Sequence, residues 1–388
     1  MSLSRRAFVR TLGVGGAGVL SSNLIGSRTD LWSGSFESVL FAQERPIPLH
    51  NNENPLGPGN AAIEAMRAVL GANGAKAGRY PGNAAALTQA ISKRYNVPTE
   101  SVMLGCGSTE LLRTATQVFT SRTKHVVGGS PTYEECIGYA YLIGTPIKAV
   151  PLDKQLRLDL KGMAAVSKGA GFIFINNPNN PTATIQPTTE LEGFVKDVLA
   201  ASPTTTIMID EAYHDYVVVP GERSLIPLSL TNPRVIVART FSKAFGMAGL
   251  RTGFVTGHPD TLKVMREWQT GQSMNVLGIA AATASLPDVK RIDEEVKRND
   301  EARRFTIDWF KRAGYDSTES HANFIFVNVK RPVAGFRDAC RANGVLVARD
   351  FPPYANTHCR ISIGTLDEMK RATQVFGKVL GATSTAAA

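Results

Sequence analysis

The segment Arg239-Thr240-Phe241-Ser242-Lys243-Ala244-Phe245-Gly246, with Arg251 a short way on, brings together an amine, two hydroxyls and guanidinium groups. It directly follows the apolar run 235–237. Most lysines on turns are solvated surface charges. One at the carboxyl end of a buried strand, between small and aromatic neighbours, can instead be desolvated, which lowers its pKa and makes its amine available to an aldehyde. Thr240, Ser242 and Arg251 can together bind a phosphate dianion, the guanidinium giving charge and a planar fork of donors.

Other clusters also end apolar runs. Asp210, in Ile207-Met208-Ile209-Asp210-Glu211-Ala212-Tyr213, is a carboxylate whose burial is costly without a cation or donors. It reads either as the cap of a following helix or as the partner of a protonated pyridine nitrogen, which keeps such a ring an electron sink. Tyr213 would then reach a phenolic oxygen on that ring. Asn176-Asn177-Pro178-Asn179-Asn180-Pro181-Thr182 is a tight turn that would present the Asn180 amide to the same oxygen. Gly105-Cys106-Gly107-Ser108-Thr109-Glu110 is a glycine-rich turn opening a helix, where main-chain N–H groups, with Gly107, Ser108 and Thr109 foremost, bind phosphate. Tyr133, after the next strand, is a candidate to stack on a ring. Each cluster alone has an ordinary structural explanation; their shared position at strand ends is what argues for a site.

The elements that must position them follow from hydrophobic patterning. Apolar runs at 102–104, 125–127, 147–150, 172–175, 207–209, 235–237 and 253–255 alternate with helical stretches such as 109–119 and 189–200. Several runs are continuous, as in strands covered on both faces, so the class is α/β with a mainly parallel sheet flanked by helices. Ligands in such sheets gather at the carboxyl ends of strands. A long helix over 288–313 precedes runs at 324–327, 345–347 and 360–363, which predict a smaller α+β domain.

The 388 residues, 43% hydrophobic and 20% charged, suit a two-domain globular enzyme. The net charge of +10 is dispersed, with no basic stripe for nucleic acid. Cys106, Cys136, Cys340 and Cys359 lack C-x-x-C spacing, which predicts no metal site and no redox pair. Arg5-Arg6, followed by Phe8 and an apolar, glycine-rich stretch, reads as a twin-arginine export signal, with 1–42 as signal and linker and cleavage after Ala42. That stretch is too short and glycine-rich for a stable membrane span.

Together these motifs resemble the aspartate-aminotransferase superfamily of pyridoxal 5′-phosphate (PLP) enzymes, fold type I, and within it the histidinol-phosphate aminotransferase-like branch. Asn52-Glu53-Asn54-Pro55, Arg79-Tyr80-Pro81-Gly82 and Arg360-Ile361-Ser362-Ile363-Gly364 complete the set, which spans 49–369. The resemblance implies a seven-stranded mostly parallel sheet in a large PLP-binding domain (73–289) and a small domain from 44–72 with 290–388. It implies a Schiff base on Lys243, and catalysis by Lys243, Asp210 and Tyr213. It also implies a homodimer in which Tyr80 reaches the cofactor phosphate of the other subunit. Arg360 would grip the substrate's anionic group, with Arg349 a second anion contact and Asn54 in the substrate loop. The expected activity is transfer of an amino group from an amino acid or amino-phosphate donor to a 2-oxo acid.

Two positions depart from the branch pattern. Leu56 stands where an aromatic is usual, and Ala183 replaces the glycine after Asn-Pro-Thr. The alternatives on the same scaffold are a PLP-dependent lyase or decarboxylase, which share the electron sink, and a non-catalytic PLP sensor.

Overall fold

A computed structural model describes residues 46–82 and 84–382. The expected export segment, 1–42, lies outside the described residues. Strand β1 (Ile47–Leu49) comes first, followed by β2 (Val102–Cys106), β3 (Val126–Ser130), β4 (Ile147–Pro151), β5 (Phe172–Asn176), β6 (Thr206–Asp210), β7 (Val235–Thr240) and β8 (Thr252–Gly257). After a long helix, Val289–Arg312, come β9 (Phe324–Asn328), β10 (Val345–Val347) and β11 (His358–Ser362).

Strands β2 to β8 form one seven-stranded sheet in the order β2-β8-β7-β6-β5-β3-β4. The pairs β4–β3, β3–β5, β5–β6 and β6–β7 are parallel, and β8 runs antiparallel to both β7 and β2. With only β8 reversed, the carboxyl ends of β2, β3, β5, β6 and β7 and the start of β8 share one edge. Each chemical cluster read from the sequence follows one of these ends.

The continuous apolar runs exist because both faces of the sheet are covered. In β5, Ile173 and Ile175 pack into one core with Ile207, Ile209, Val235 and Val237, while Phe172 and Phe174 point into another with Met208, Ile236 and Val255. Helix Gly107–Phe119 covers the second face with Leu111, Leu112 and Ala115. Its start needs a left-handed turn, supplied by Gly107 at φ 70°.

The region after 289 builds a separate core from Trp309, Phe310, Ile325, Val327, Val345, Ile361 and Phe376, which Ile47 and Leu49 join. Here β1 pairs parallel with β10, and β9 pairs antiparallel with β11. Its last helix, Leu366–Leu380, opens with a capping box in which Thr365 Oγ1 accepts from the Glu368 amide at 3.2 Å and the Glu368 carboxylate accepts from the Thr365 amide at 2.7 Å. Such a cap stabilises a helix by about 1 kcal/mol. Ala62, on the helix Asn60–Leu70, packs instead into the core beneath the sheet.

Candidate active site

Lys243 sits on the turn after β7, partly buried, with its Nζ donating to the main-chain carbonyls of Asn52 at 3.1 Å and Asn51 at 3.4 Å. The amine also lies 5.4 Å from the centre of the Tyr213 ring. Burial, followed by the positive field of Arg360, lowers its pKa to about 8. A fraction of the amine is therefore neutral near physiological pH, as a nucleophile or base requires.

Asp210 is 2% exposed at the end of β6, where Oδ1 accepts from the Ala212 amide at 3.1 Å. Burial pushes its carboxyl up to about 7, against the opposing pull of that hydrogen bond and of Lys243. Among the described residues no cation lies within ion-pair distance of it, so the carboxylate lacks the counter-charge that its burial demands. The next residue shows the contrast. Glu211 is equally buried, but the Arg239 guanidinium at 2.8 Å, the Ser224 hydroxyl and the Leu225 amide overcome desolvation and hold its pKa below the ordinary value.

Tyr213 lies edge-on to Phe324, and its hydroxyl accepts from Asn52 Nδ2 at 3.1 Å. Burial raises this phenol to about 12, so it keeps its proton, which remains available to an acceptor in the site. Burial likewise raises Tyr133 to about 12, with the Thr109 side chain pulling the other way.

Around Arg251 the turns converge into an anion cradle. Its guanidinium donates to Ala248 O at 2.9 Å and reaches Ser242 Oγ and Thr109 Oγ1, each at 3.4 Å. Thr240 Oγ1 donates to Ser242 Oγ at 2.9 Å, which steers the Ser242 hydroxyl. Ser108 and Thr109 sit in the first turn of helix Gly107–Phe119. A Cβ on Gly107 would strike the Arg251 guanidinium, and one on Gly253 would strike the backbone of Gly107 and Ser108. Among the described residues no carboxylate pairs with Arg251. Its cation and the helix amino terminus are free to act on one external anion.

Arg360, on β11, is 9% exposed and donates to Asn180 Oδ1 at 2.7 Å and to the His50 carbonyl at 2.6 Å. Its buried Nε has no hydrogen-bond partner, and burial lowers its pKa to about 10. Arg349 does not share these contacts; its guanidinium pairs with Glu134 at 2.5 Å. Asn54 spends its amide locally, donating to Ala244 O at 3.1 Å and accepting from the Leu56 amide at 2.9 Å, so it braces the residue beside Lys243. Tyr80 stands apart from the cluster, 84% exposed.

The sequence marks Asn52 and Ser362 only as members of motifs, without a role, and Asn323 not at all. Asn52 is 1% exposed at φ 55°, its amide N–H donates to Ser362 Oγ at 2.8 Å, and its carbonyl accepts from Asn323 Nδ2 at 3.0 Å. The signal available for Asn52 was the asparagine doublet Asn51-Asn52, a residue type that tolerates left-handed backbone.

The family described as aminotransferase class I and II matches residues 44–376. Histidinol-phosphate aminotransferase of Symbiobacterium thermophilum is 32% identical over 338 residues, covering 86% of this chain and 91% of that one. Aromatic amino acid aminotransferase of Thermobifida fusca is 34% identical over 336 residues, with 85% and 89% covered. The crystal structure of histidinol-phosphate aminotransferase from Sinorhizobium meliloti in complex with pyridoxal 5′-phosphate superposes with a TM-score of 0.80 over 89% of this chain and 93% of that one, and at 24% identity this is a likeness of fold. A match spanning nearly every described residue, on a fold whose strand ends gather a desolvated lysine and an anion cradle, establishes that the chain belongs to the class I and II aminotransferases.

Proposed function

We propose that this aminotransferase moves an amino group from an amino acid or amino-phosphate donor to a 2-oxo acid, with Lys243 as the residue that holds the cofactor's aldehyde carbon and then carries the proton. The cofactor is PLP, and the side chains fit it. The carboxylate-free cation of Arg251, the start of helix Gly107–Phe119 and the hydroxyls of Ser108, Thr109, Thr240 and Ser242 suit its phosphate. The uncompensated Asp210 suits a cationic ring nitrogen. The observation that carries the reading is one of placement: Lys243 just past the end of β7, the buried carboxylate of Asp210 without a counter-cation among the described residues at the end of the adjacent β6, and the Arg251 cradle on the same sheet edge.

When bound, PLP supplies an electron sink for the bond broken at the substrate's Cα. Asp210 keeps the ring nitrogen protonated. Tyr213 and Asn180 would offer a hydroxyl and an amide to the phenolic oxygen, and Tyr133 would be the residue to stack on the ring. The Lys243 amine would serve as the base that takes the proton from the substrate's Cα and returns it at the adjoining carbon. Arg360 orients the donor by its carboxylate, its Nε being the unpaired donor there.

Tyr80 completes the phosphate site across a homodimer interface, for which its 84% exposure is support. Export by the twin-arginine route is proposed from Arg5-Arg6, Phe8 and the apolar stretch that follows.

An amino-donor screen on the PLP-loaded protein, with and without a 2-oxo acid, tests the function. Stoichiometric formation of pyridoxamine phosphate and an oxo product, lost in Lys243→Ala, is the expected result. Release of carbon dioxide or ammonia without pyridoxamine phosphate would sink it in favour of a decarboxylase or lyase.

A further inference from the structure

The second arginine read from the sequence as an anion contact is already occupied. Arg349 leaves β10 on the loop to β11, and its guanidinium carbon stands 4.5 Å from the centre of the Phe351 ring. Arg360 stands 5.0 Å from the centre of the same ring, so one aromatic side chain carries both guanidinium groups. Arg349 Nη2 donates to Glu134 Oε2 at 2.5 Å, across 215 residues of chain. Glu134 directly follows Tyr133, and its charge is felt at Arg360 along with that of Arg349.

Among the described residues the Glu134 side chain makes no other hydrogen bond or ion pair, although its main-chain carbonyl accepts from the Gly138 amide at 2.7 Å. Glu134 occupies the cap position of helix Glu135–Leu142 but makes no side-chain capping bond, and its neighbour Glu135 is paired with Arg113. The other acid near Arg349, Asp350, is engaged by Arg337 at 3.2 Å. Among the described residues Glu134 is therefore the one acid on Arg349. Their side chains are 61% and 54% exposed, so the pair is of the solvent-screened kind that a competing anion can open.

We propose that Glu134 is a specificity-determining residue that sets which donor side chains the site accepts by occupying Arg349. A donor with an uncharged far end, aromatic or aliphatic, binds through Arg360 and leaves the Arg349–Glu134 pair intact. A donor with an anionic far end, a second carboxylate or a phosphate, must first displace Glu134. The proposal rests on the reading of Arg360 as the donor's carboxylate anchor and deepens it to a substrate class: amino acids with uncharged side chains are favoured while Glu134 holds the arginine.

The test compares the parent with Glu134→Gln, Arg349→Gln and the double variant, all PLP-loaded. Phenylalanine, glutamate and aspartate serve as donors. Glu134→Gln is expected to raise kcat/KM for glutamate and aspartate relative to phenylalanine by about two- to fivefold, the equivalent of one exposed ion pair. In the Arg349→Gln background that gain should vanish, since Glu134 acts only through Arg349. Calorimetric binding of maleate against 3-phenylpropionate reads the same selectivity without turnover, and maleate should tighten in Glu134→Gln. Unchanged ratios in both assays, or a gain that persists without Arg349, would overturn the proposal. If the parent converts no donor while Glu134→Gln still tightens maleate, amino transfer fails and the assignment of Glu134 stands.

Discussion

Asn52 accepts the Lys243 ammonium on its main-chain carbonyl at 3.1 Å, across 191 residues of chain. The same asparagine donates its side-chain amide to Tyr213, also at 3.1 Å, so one residue touches both the base and the phenol. It is anchored in turn by Ser362, whose hydroxyl receives the Asn52 amide N–H and donates to its Oδ1 at 3.0 Å. Ser362 ends β11, and through it the strand that carries Arg360 is tied to the chemistry at the sheet edge.

This geometry separates two substitutions at Asn52. Its φ of 55° is unfavourable for residues with a Cβ, by roughly 1–2 kcal/mol. Asn52→Ala meets that strain and loses the amide, whereas Asn52→Gly loses only the amide. Urea unfolding should therefore show the alanine variant less stable than the glycine variant by about 1 kcal/mol. Both should slow the single-turnover half-reaction, because Tyr213 loses its donor in either. A glycine variant with parental rates would show that the Asn52–Tyr213 hydrogen bond does not matter to the chemistry.

Arg251 tests the cradle. Each charge-assisted hydrogen bond contributes about 1.5–3 kcal/mol, so Arg251→Gln should weaken PLP binding about ten- to a hundredfold or more. Spectral titration with PLP measures it directly. Pyridoxal, which lacks the phosphate, should bind parent and variant about equally. A variant that loses affinity for both ligands alike would place Arg251 outside the phosphate site.

Strands β5 to β8 were legible because each is a run buried along its whole length, and the residues beside them could be placed from that alone, whereas the edge strand β4 is largely exposed. The second region was less legible. Ile47–Leu49 is a strand only because it pairs with Val345–Val347, and a short segment with an internal proline carries no periodicity that signals a partner so far along the chain. The site's motifs gave residue types but not pairings. Nothing local announces that Arg349 meets Glu134 or that Asn54 turns to Ala244, since both contacts are made by folding distant segments together. Ala183 is an instructive intermediate case. The sequence marks it as an alanine at a glycine position, and the structure shows why glycine suits that position: its φ is 60°.

Gly253 offers a second route to the same cradle, through packing. A methyl group there would press on the backbone of Gly107 and Ser108, which cannot rotate away as a side chain can. Overpacking of this kind costs about 1–3 kcal/mol. Gly253→Ala should lower the urea midpoint and weaken PLP binding together. A lowered midpoint with parental PLP affinity would mean that the helix start moves without its N–H groups serving the phosphate.

The strain of burying Asp210 and Lys243 has a pH signature in protein stripped of its cofactor. Asp210 has a folded pKa of about 7, above the ordinary 3.8. The folded state then holds the extra proton between those values, so its contribution to stability falls as pH rises through that window. Lys243 is the mirror case, about 8 when folded against an ordinary 10.5, so the unfolded state holds the extra proton there and stability rises with pH across that range. The two costs overlap between the windows, near neutral to mildly alkaline pH. Asp210→Asn removes the carboxylate's share, and should raise the Tm of the stripped protein more at about pH 8 than at about pH 5, where the native carboxyl is mostly protonated. With PLP bound the sign should reverse, because the asparagine no longer offers a charge to the ring nitrogen. Scanning calorimetry at the two pH values, with and without PLP, reads all four cases. An Asp210→Asn variant that is less stable than the parent in the stripped state at the higher pH would show that the carboxylate is satisfied by the protein itself, and would remove the argument that it awaits a cation.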